Sequence, residues 1–270
     1  MKTIRGSRPP AGWRLSPADV HVWTISLDVA SAVLDAFAAI LSSSELERAQ
    51  QFRSGQPRNR FIAGRAQMRT LLSRYLQTEP AKLEFGYGSG GKPFLSGAFA
   101  ENGLNFNLTH SDNLALLAVT RAGMIGADIE RIRPLTDADR LVDRFFSERE
   151  SAAFHKLPAE QKPVAFFNLW TRKEAWLKAT GAGIGHLLNA VEPSFLPGEA
   201  VRFISLPVDA QPMAPWMLHD LQPAPDFIAA MAVRAEVKLR RCCCWNQEAA
   251  RKVIRQATDS HCQKITQRRI

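Results

Sequence analysis

Polar and apolar positions along the chain change their spacing several times, and each spacing predicts a type of element. Over 20–29, VHVWTISLDV, an alternating pattern places Trp23, Ile25 and Leu27 on one face, which predicts a strand. Over 44–77 the apolar residues return at helical spacing and predict a long helix. Its expected buried residues are Phe52, Phe61, Ile62, Met68, Leu71 and Leu72.

The rest of the body continues with short strands and a second helical block. The block covers 136–179 and is expected to break near 146–147 and 157–158. Short apolar runs predict further strands at 83–87, 104–108, 114–120, 125–130, 201–206, 216–221 and 227–234. The order strand, long helix, strands therefore occurs twice. We predict two similar α+β lobes, over 15–122 and 123–236, with a ligand cleft between them.

Composition narrows the class of protein. The chain has 270 residues, of which 46% are hydrophobic, and this suits one large or two small domains. No run of about 18 apolar residues occurs, as a membrane-spanning helix would need. The opening MKTIRGSRPPAGW is basic but lacks the apolar core of a secretion signal, so we expect a cytoplasmic location.

The four cysteines and most of the net positive charge lie near the C-terminus. Cys242, Cys243, Cys244 and Cys262 lack the paired spacing of a zinc site, so we expect free thiols. Residues 237–270 carry nine Lys/Arg and two Asp/Glu, which account for most of the formal net charge of +9. We predict a basic, poorly ordered tail there. Nucleic-acid binding is not favoured, because basic and aromatic residues do not interleave.

The segment FFNLWTRKEAWLKATGAG, at 166–183, places charges inside an apolar helix pattern. Glu174 and Lys178 are four residues apart. They are either an exposed pair that stabilises the helix by about 0.2–0.5 kcal/mol, or a base and a cation at the mouth of a site. Lys173 adds a second positive charge. The segment alone leaves both interpretations open.

Two turns offer groups that suit a phosphate. GYGSGGKP nearly completes a P-loop, but Pro93 stands where Ser or Thr is required and restricts Lys92 away from helical geometry. We therefore predict a Gly-rich turn that presents Lys92. FNLTHSD ends a strand in a polar turn with Thr109 and His110, and turn chemistry alone explains it equally well.

The stretch GADIE offers metal ligands. Asp128 and Glu130 are two residues apart on a strand and share a face, which turns Ala127 and Ile129 toward the core. Paired carboxylates favour magnesium, which takes its remaining ligands from water and substrate phosphates. The alternative is an exposed acidic pair that nearby arginines neutralise. This motif alone does not decide between them.

Two further segments have structural explanations. In FFSERE, Ser147 followed by Glu150 fits the capping box that begins a helix, and this is favoured over a metal role on the motif alone. A basic run on the first long helix is typical of a solvated face and consists of Arg48, Arg53, Arg58, Arg60 and Arg65. Arg60 stands beside Phe61 at the edge of the apolar stripe, where it can turn into a cleft.

In this order, the motifs resemble those of the 4′-phosphopantetheinyl transferases of the longer, two-lobed type. The matching segments are GKP at 91–93, FNLTHS at 106–111, IGADIE at 125–130, FFSERE at 145–150 and WTRKEAWLKATGAG at 170–183. GADIE and WTRKEAWLK at this separation are the specific signal. The resemblance implies an α+β fold of two pseudo-symmetric lobes, with coenzyme A in the cleft between them.

The resemblance also implies a role for each candidate residue. Asp128, Glu130 and Glu150 are expected to hold magnesium. Glu174 is expected to be the base or a metal-side ligand, and Lys178 to contact phosphates. The residues expected at coenzyme A are Arg48, Arg60, Lys92, Pro93, Thr109, His110, Asp128, Lys173 and Lys178.

The implied reaction transfers the 4′-phosphopantetheine arm of coenzyme A to a serine of an apo acyl or peptidyl carrier protein and releases 3′,5′-ADP. Such carriers serve fatty-acid, polyketide and peptide synthesis. We expect a monomer with no membrane or nucleic-acid partner. The alternatives are another magnesium-dependent enzyme acting on a nucleotide diphosphate and a non-catalytic coenzyme A binder. The intact set of acidic and basic candidates argues against the non-catalytic binder.

Overall fold

Two four-stranded β-sheets form the centre of the fold. A computed structural model describes residues 2–3, 13–182, 188–207, 215–235 and 238–245, the first and last of these ranges by their backbone alone. The strands are β1 Lys2–Thr3, β2 Asp19–Ser26, β3 Phe85–Tyr87, β4 Pro93–Leu95, β5 Asn105–Ser111, β6 Leu114–Thr120, β7 Ile125–Arg131, β8 Glu192–Pro193, β9 Phe203–Ser205, β10 Trp216–Gln222, β11 Phe227–Arg234 and β12 Lys238–Trp245. The helices are α1 Ser31–Ala38, α2 Ser43–Gln50, α3 Gly55–Leu76, α4 Ala138–Phe145, α5 Glu148–His155 and α6 Lys162–Thr180.

Each lobe contributes three antiparallel strands to one of the large sheets. The first sheet has the order β12-β2-β6-β5 and the second the order β1-β10-β11-β7. The pairs β2-β6, β6-β5, β10-β11 and β11-β7 are all antiparallel. Two small ribbons, β3-β4 and β8-β9, lie outside the sheets. The predicted α+β class with two lobes is confirmed.

The two sheets pack face to face between layers of helices. Apolar side chains of β2 and β6 meet those of β7 and β11 in one core, which includes Val22, Ala118, Ala127 and Met231. A second core joins the other face of the first sheet to α1 and α3. Helix α6 packs on the second sheet, against β7 and β11. The functional motifs on β5, β7 and α6 therefore lie where the lobes meet.

Local signals determine where several helices begin and end. The predicted capping box of Ser147 and Glu150 begins α5. Gln77 ends α3 in a left-handed conformation, and Gly181 ends α6 with a φ of 75°. The breaks predicted within the second helical block separate α4, α5 and α6. Among the described residues no helix is both long and apolar enough to cross a membrane.

The first long helix of the prediction is in fact two helices. Helix α2 ends at Gln50 and α3 begins at Gly55, because Ser54 and Gly55 at the junction disfavour a continuous helix. Phe52 lies in this connection and is 38% exposed, so the prediction that it is buried is wrong. Helix α1 was not predicted, because it is short and buries only Val33 and Phe37.

The two ends of the described chain each join the sheet of the opposite lobe. Strand β12 pairs in parallel with β2, and β1 pairs in parallel with β10. The prediction of a poorly ordered tail over 237–270 is therefore wrong for 238–245. The edge of β2 offers unpaired backbone groups, and KLRRCCCW contains no Gly, Pro, Asn or Asp to interrupt a strand. Residues 246–270 and all four cysteine side chains lie outside the described parts.

Candidate active site

Close contact between β7 and α6 brings the acidic and basic motifs together. A Cβ atom at Gly126 would lie 2.2 Å from the carbonyl oxygen of Ala175 and 2.3 Å from the amide nitrogen of Ala179. No side chain fits in that space, so glycine is required for this approach of strand and helix. Two residues further along β7, Asp128 meets Lys178 of α6.

Asp128, Thr109 and Lys178 form a closed triangle of hydrogen bonds. Lys178 Nζ donates to Asp128 Oδ1 and, at 3.1 Å, to Thr109 Oγ1. The Thr109 hydroxyl donates to Asp128 Oδ1 at 3.2 Å. Burial raises the pKa of Asp128, and the Lys178 ammonium opposes that shift. Although burial disfavours the ammonium, the charge of Asp128 raises the pKa of Lys178.

Two more carboxylates share this region. Glu130 is half-buried and accepts a hydrogen bond from the Ser111 hydroxyl at 2.9 Å. Glu174 is 3% exposed, lies one helical turn before Lys178, and has no hydrogen-bond partner for Oε1 among the described residues. Burial, opposed by Lys178 and reinforced by Asp128 and Glu130, raises the pKa of Glu174 to about 7. Burial and the charge of Asp128 also raise the pKa of Glu130.

Asp128 and Glu130 fit the ligand set of magnesium. Within the described part of the chain, Asp128 Oδ2 is buried without a hydrogen-bond partner. A divalent cation would satisfy this oxygen and relieve the repulsion between the two carboxylates. Among the described residues, no group of three or more His, Cys, Asp or Glu side chains could hold a metal ion. Two carboxylates suit a metal that takes its other ligands from substrate phosphates and water.

Alternate side chains of β5 attach this strand to β7. Asn107 Oδ1 accepts the backbone N–H of Ala127 at 2.8 Å, and Ser111 Oγ accepts that of Arg131 at 3.2 Å. Thr109 lies between them on the same face. Asn107 was not predicted as a site residue, although the polar positions two apart in FNLTHS are the signal that identifies this face.

A cleft of about 450 Å³ adjoins the carboxylate group. Its lining includes four residues that were predicted at coenzyme A, namely Arg48, Arg60, Pro93 and His110. His110 lines the cleft and also lies close enough to Lys178 and Asp128 for their charges to shift its pKa. Partial burial and the two positive charges lower the pKa of His110, with Asp128 opposing them.

Arg60 turns toward this cleft as predicted, but it is already paired. Its Nε lies 2.7 Å from Asp28 Oδ1 and its Nη1 lies 2.6 Å from Asp112 Oδ1. Asp112 also accepts a hydrogen bond from Arg131 at the end of β7. The ion pairs therefore connect the two lobes at the rim of the cleft. Asp112 was not predicted, because its partners are remote in the sequence.

Lys92 links the β3-β4 ribbon to the second lobe. Its Nζ donates to the carbonyl oxygen of Ile125 at 2.6 Å and to that of Ala179 at 3.5 Å. Burial lowers the pKa of Lys92 to about 8. With Pro93 it lines a second pocket of about 360 Å³ near the end of α6. The predicted Gly-rich turn is confirmed, and its lysine lies at the contact between the lobes.

Comparisons with known proteins agree with this arrangement. The model of the 4′-phosphopantetheinyl transferase superfamily matches residues 124–232, and that of the 4′-phosphopantetheinyl transferase N-terminal part matches 28–122. The 4′-phosphopantetheinyl transferase HetI of Nostoc sp. is 45% identical over 224 residues, which cover 83% of this chain and 91% of HetI. The chain belongs to the 4′-phosphopantetheinyl transferase superfamily.

Other relatives of this transferase lie at lower identity. A putative 4′-phosphopantetheinyl transferase of Synechocystis sp. is 36% identical over 173 residues, which cover 64% of this chain and 69% of the relative. The 4′-phosphopantetheinyl transferase AcpT of Escherichia coli is 39% identical over 142 residues, which cover 52% of this chain and 67% of AcpT. The family resemblance inferred from the motifs is confirmed.

Two residues predicted at the site belong to a different cluster in this transferase. Lys173 is fully buried, and its Nζ lies 2.7 Å from Glu150 Oε2 and 2.6 Å from the carbonyl oxygens of Leu188 and Val191. Three acceptors therefore satisfy its ammonium, and no donor is left for coenzyme A. Glu150 also accepts the Ser147 N–H in the capping box. Glu150 and Lys173 therefore form a buried pair, while Glu150 Oε1 is buried without a hydrogen-bond partner among the described residues. The expected roles of Glu150 at magnesium and of Lys173 at coenzyme A stay predictions.

Proposed function

We propose that this transferase takes the phosphopantetheine arm from coenzyme A and attaches it to a serine hydroxyl of an apo carrier protein. One observation carries the proposal: Glu174, Asp128 and Lys178 lie close together. Next to them is a cleft with basic residues in its lining, and His110 lies between this cleft and the three residues. A base, a carboxylate for a metal and a cation for phosphate are the groups that such a transfer needs.

In the proposed reaction the serine oxygen attacks the β-phosphorus of coenzyme A and forms a new P–O bond. The bond from that phosphorus to the bridging oxygen of the pyrophosphate breaks, and 3′,5′-ADP leaves with the electron pair. Glu174 takes the serine proton, which its pKa of about 7 and its unpartnered Oε1 allow. Lys178 stabilises the negative charge on the departing phosphate.

Asp128 and Glu130 would hold magnesium in this proposal. When bound, the ion supplies positive charge that neutralises the pyrophosphate. Thr109 keeps Asp128 oriented, and Ser111 does the same for Glu130. The hydroxyl groups of β5 thus fix the directions of both carboxylates before substrate arrives.

The partners proposed here are coenzyme A and the acyl or peptidyl carrier proteins of fatty-acid, polyketide or peptide synthesis. We propose a monomer, because a single chain supplies both walls of the cleft, with Arg60 and His110 from one lobe and Asp128 and Lys178 from the other. The cytoplasmic location stays a prediction from the sequence.

Intact-mass analysis tests the proposed transfer. Apo acyl and peptidyl carrier proteins are incubated with the transferase, coenzyme A and magnesium. We expect one phosphopantetheine arm to be added to at least one carrier, and a chelator to abolish the addition. Lys178→Met is expected to fold and to transfer nothing. Lys82→Met is the matched control, because Lys82 is exposed and its ion pair, within the described part of the chain, is with Glu79. Coenzyme A binding without transfer to any carrier would contradict the proposal.

A further inference from the structure

A row of five charged side chains crosses from one lobe to the other at the rim of the cleft. In order along the row they are Asp28, Arg60, Asp112, Arg131 and Asp226. The first three lie after β2, on α3 and after β5, and the last two lie at the end of β7 and just before β11. Each guanidinium group is placed between two carboxylates. Asp112 is the carboxylate that both share, so the connection between the lobes passes through it.

The backbone at Asp112 decides which substitutions leave its turn intact. Asp112 lies in the short turn between β5 and β6 and has a φ of 51°. This is the left-handed region, which asparagine and aspartate adopt more readily than most residues and which glycine adopts without cost. Asparagine or glycine at this position therefore removes the charge and keeps the backbone.

The row closes the open end of the contact between β5 and β7. Each of these strands lies at the edge of its own sheet, and side chains of β5 hold β7. At the buried end, the Asn107 amide oxygen accepts a backbone N–H of β7, and Asn107 is 3% exposed. At the other end, Ser111 accepts the N–H of Arg131 beside solvent, where water competes for the same groups. The ion pairs of Asp112 reinforce the contact at this end.

Glu130 depends on the same end of the contact. It precedes Arg131 in the chain, and it accepts a hydrogen bond from Ser111, which precedes Asp112. A shift of Arg131 away from Asp112 therefore also separates Glu130 from Ser111. Asp128 lies two residues further from the rim and is held by other side chains. A looser rim would thus move Glu130 relative to Asp128.

We infer that Asp112 is a positioning residue: by joining Arg60 to Arg131 it holds the lobes together at the rim and fixes Glu130 relative to Asp128. The connection between the lobes is independent of the reaction. Its effect on magnesium rests on the proposed function, because it takes Asp128 and Glu130 as the metal ligands. Asp112 acts in this role through its neighbours and contacts neither metal nor substrate.

Hydrogen exchange of single backbone amides, followed by NMR, tests the connection without substrate. In Asp112→Asn each arginine keeps the carboxylate of its own lobe, Asp28 or Asp226, so the contact between the lobes is what is lost. The Arg131 amide is expected to exchange at least about threefold faster, and that of Ala127 to change by less than about twofold. Asp226→Asn, which removes the other carboxylate of Arg131, is the matched control and should leave both amides within about twofold. Unchanged exchange at Arg131 in Asp112→Asn, or an equal increase in the control, would overturn the inference.

Transfer kinetics at varied magnesium concentration measure the effect on Glu130. Asp112→Asn is expected to raise the magnesium concentration for half-maximal transfer by about three- to tenfold, and to change kcat at saturating magnesium by less than about twofold. Asp112→Gly should have at least the same effect, and Asp226→Asn none. In an Arg131→Met background, Asp112→Asn is expected to add less than about twofold, because the connection is already broken. Equal increases in both backgrounds would overturn the inference.

The two measurements separate the inference from the proposed function. If the wild type transfers nothing while the exchange of Arg131 responds to Asp112→Asn as expected, the proposed function fails and the connection between the lobes holds. If the wild type transfers the arm and Asp112→Asn keeps its magnesium dependence, the proposed function stands and the role of Asp112 at Glu130 is wrong.

Discussion

A carboxylate that is buried beside other carboxylates keeps its proton to a higher pH, because neither low polarity nor like charge favours the ionised form. Glu174 is in this position, with a pKa of about 7 and with Asp128 and Glu130 nearby. A pKa near neutral pH supports the proposed role of Glu174 as the base. The ammonium of Lys178, one helical turn away, opposes the rise in this pKa.

Glu174→Gln is expected to lower kcat by a factor of about 10²–10⁴, because glutamine cannot take the serine proton. Binding of coenzyme A should change much less, since the amide keeps the size of the side chain. Transfer rates from intact-mass time courses and calorimetric titration with coenzyme A separate the two effects. A folded variant with wild-type kcat would show that Glu174 is not the base.

The same residue predicts a pH-dependent stability in the absence of magnesium. The native state keeps the Glu174 proton up to a pKa of about 7, whereas 4.5 is the ordinary value of the unfolded chain. The free energy of unfolding therefore falls as pH rises through this window, because the native state binds more protons. Glu174→Gln should be more stable than the wild type at about pH 8, by at most about 3 kcal/mol, and not at about pH 4. Urea unfolding in a chelator measures this; the same difference at both pH values would contradict it.

The contact of Glu150 with Lys173 allows a test of whether Glu150 has a structural role or binds magnesium. Glu150→Gln leaves the Lys173 ammonium buried without its counter-charge, so unfolding is expected to become easier by about 3–5 kcal/mol. The magnesium dependence of transfer, measured well below the melting temperature, should stay that of the wild type. Asp128→Asn is the matched comparison and should lose transfer with little loss of stability. A weaker magnesium affinity in Glu150→Gln would return this residue to the metal site.

The sequence predicts some of these residue environments better than others. Spacing alone places Asp128 and Glu130 on one face of a strand, because neighbours two apart always share it. No spacing reveals that Lys173 and Glu150 are buried together, since their contact depends on how α5 packs on α6. Arg65 is similar: its charge suggests a solvated position, and only the fold brings Glu45 and Tyr87 to it.

At the scale of secondary-structure elements, the site depends on the spacing of β7 and α6. Gly126→Ala would place a methyl carbon within 2.3 Å of the backbone of α6, so the helix must shift outward. We expect a loss of about 2 kcal/mol or more in stability and at least about tenfold in transfer, because Lys178 moves relative to Asp128. Thermal melting measures the loss of stability, and transfer kinetics measure the loss of activity.

Gly55→Ala is the control for the substitution at Gly126. No atom lies within 4 Å of a Cβ at Gly55, which begins α3, so alanine is expected to be neutral or stabilising by up to about 1 kcal/mol. Equal behaviour of the two variants would mean that the contact between β7 and α6 tolerates a wider spacing and does not position Lys178.

Elements with a continuous apolar run were predicted most accurately. The bounds of β6 and β11 agree with the predicted 114–120 and 227–234, because both strands are buried on two faces and end abruptly at polar residues. Strand β12 was missed because its pattern is mixed and its place depends on an edge of β2, which lies at the other end of the chain. Partners remote in sequence leave no local signal.

At the scale of the whole molecule, the exchanged terminal strands predict the effect of shortening the chain. Deletion of 238–270 leaves β2 as an unpaired edge, so we expect a stability loss of at least about 1 kcal/mol and concentration-dependent association. Deletion of 246–270 alone keeps β12 and is expected to keep the melting temperature. Calorimetry and light scattering of the two truncations measure these effects. Identical melting curves would mean that β12 adds nothing to the first sheet.

The pairing of β12 with β2 also orders the events of protein synthesis. Strand β2 leaves the ribosome early, but its outer partner is made only after the whole second lobe. At about 5–20 residues per second, that delay is on the order of ten seconds or more. Throughout this time the nascent first sheet presents an open edge to other chains, so association with them is favoured at this stage. The lobe that is made first is the one that is completed last.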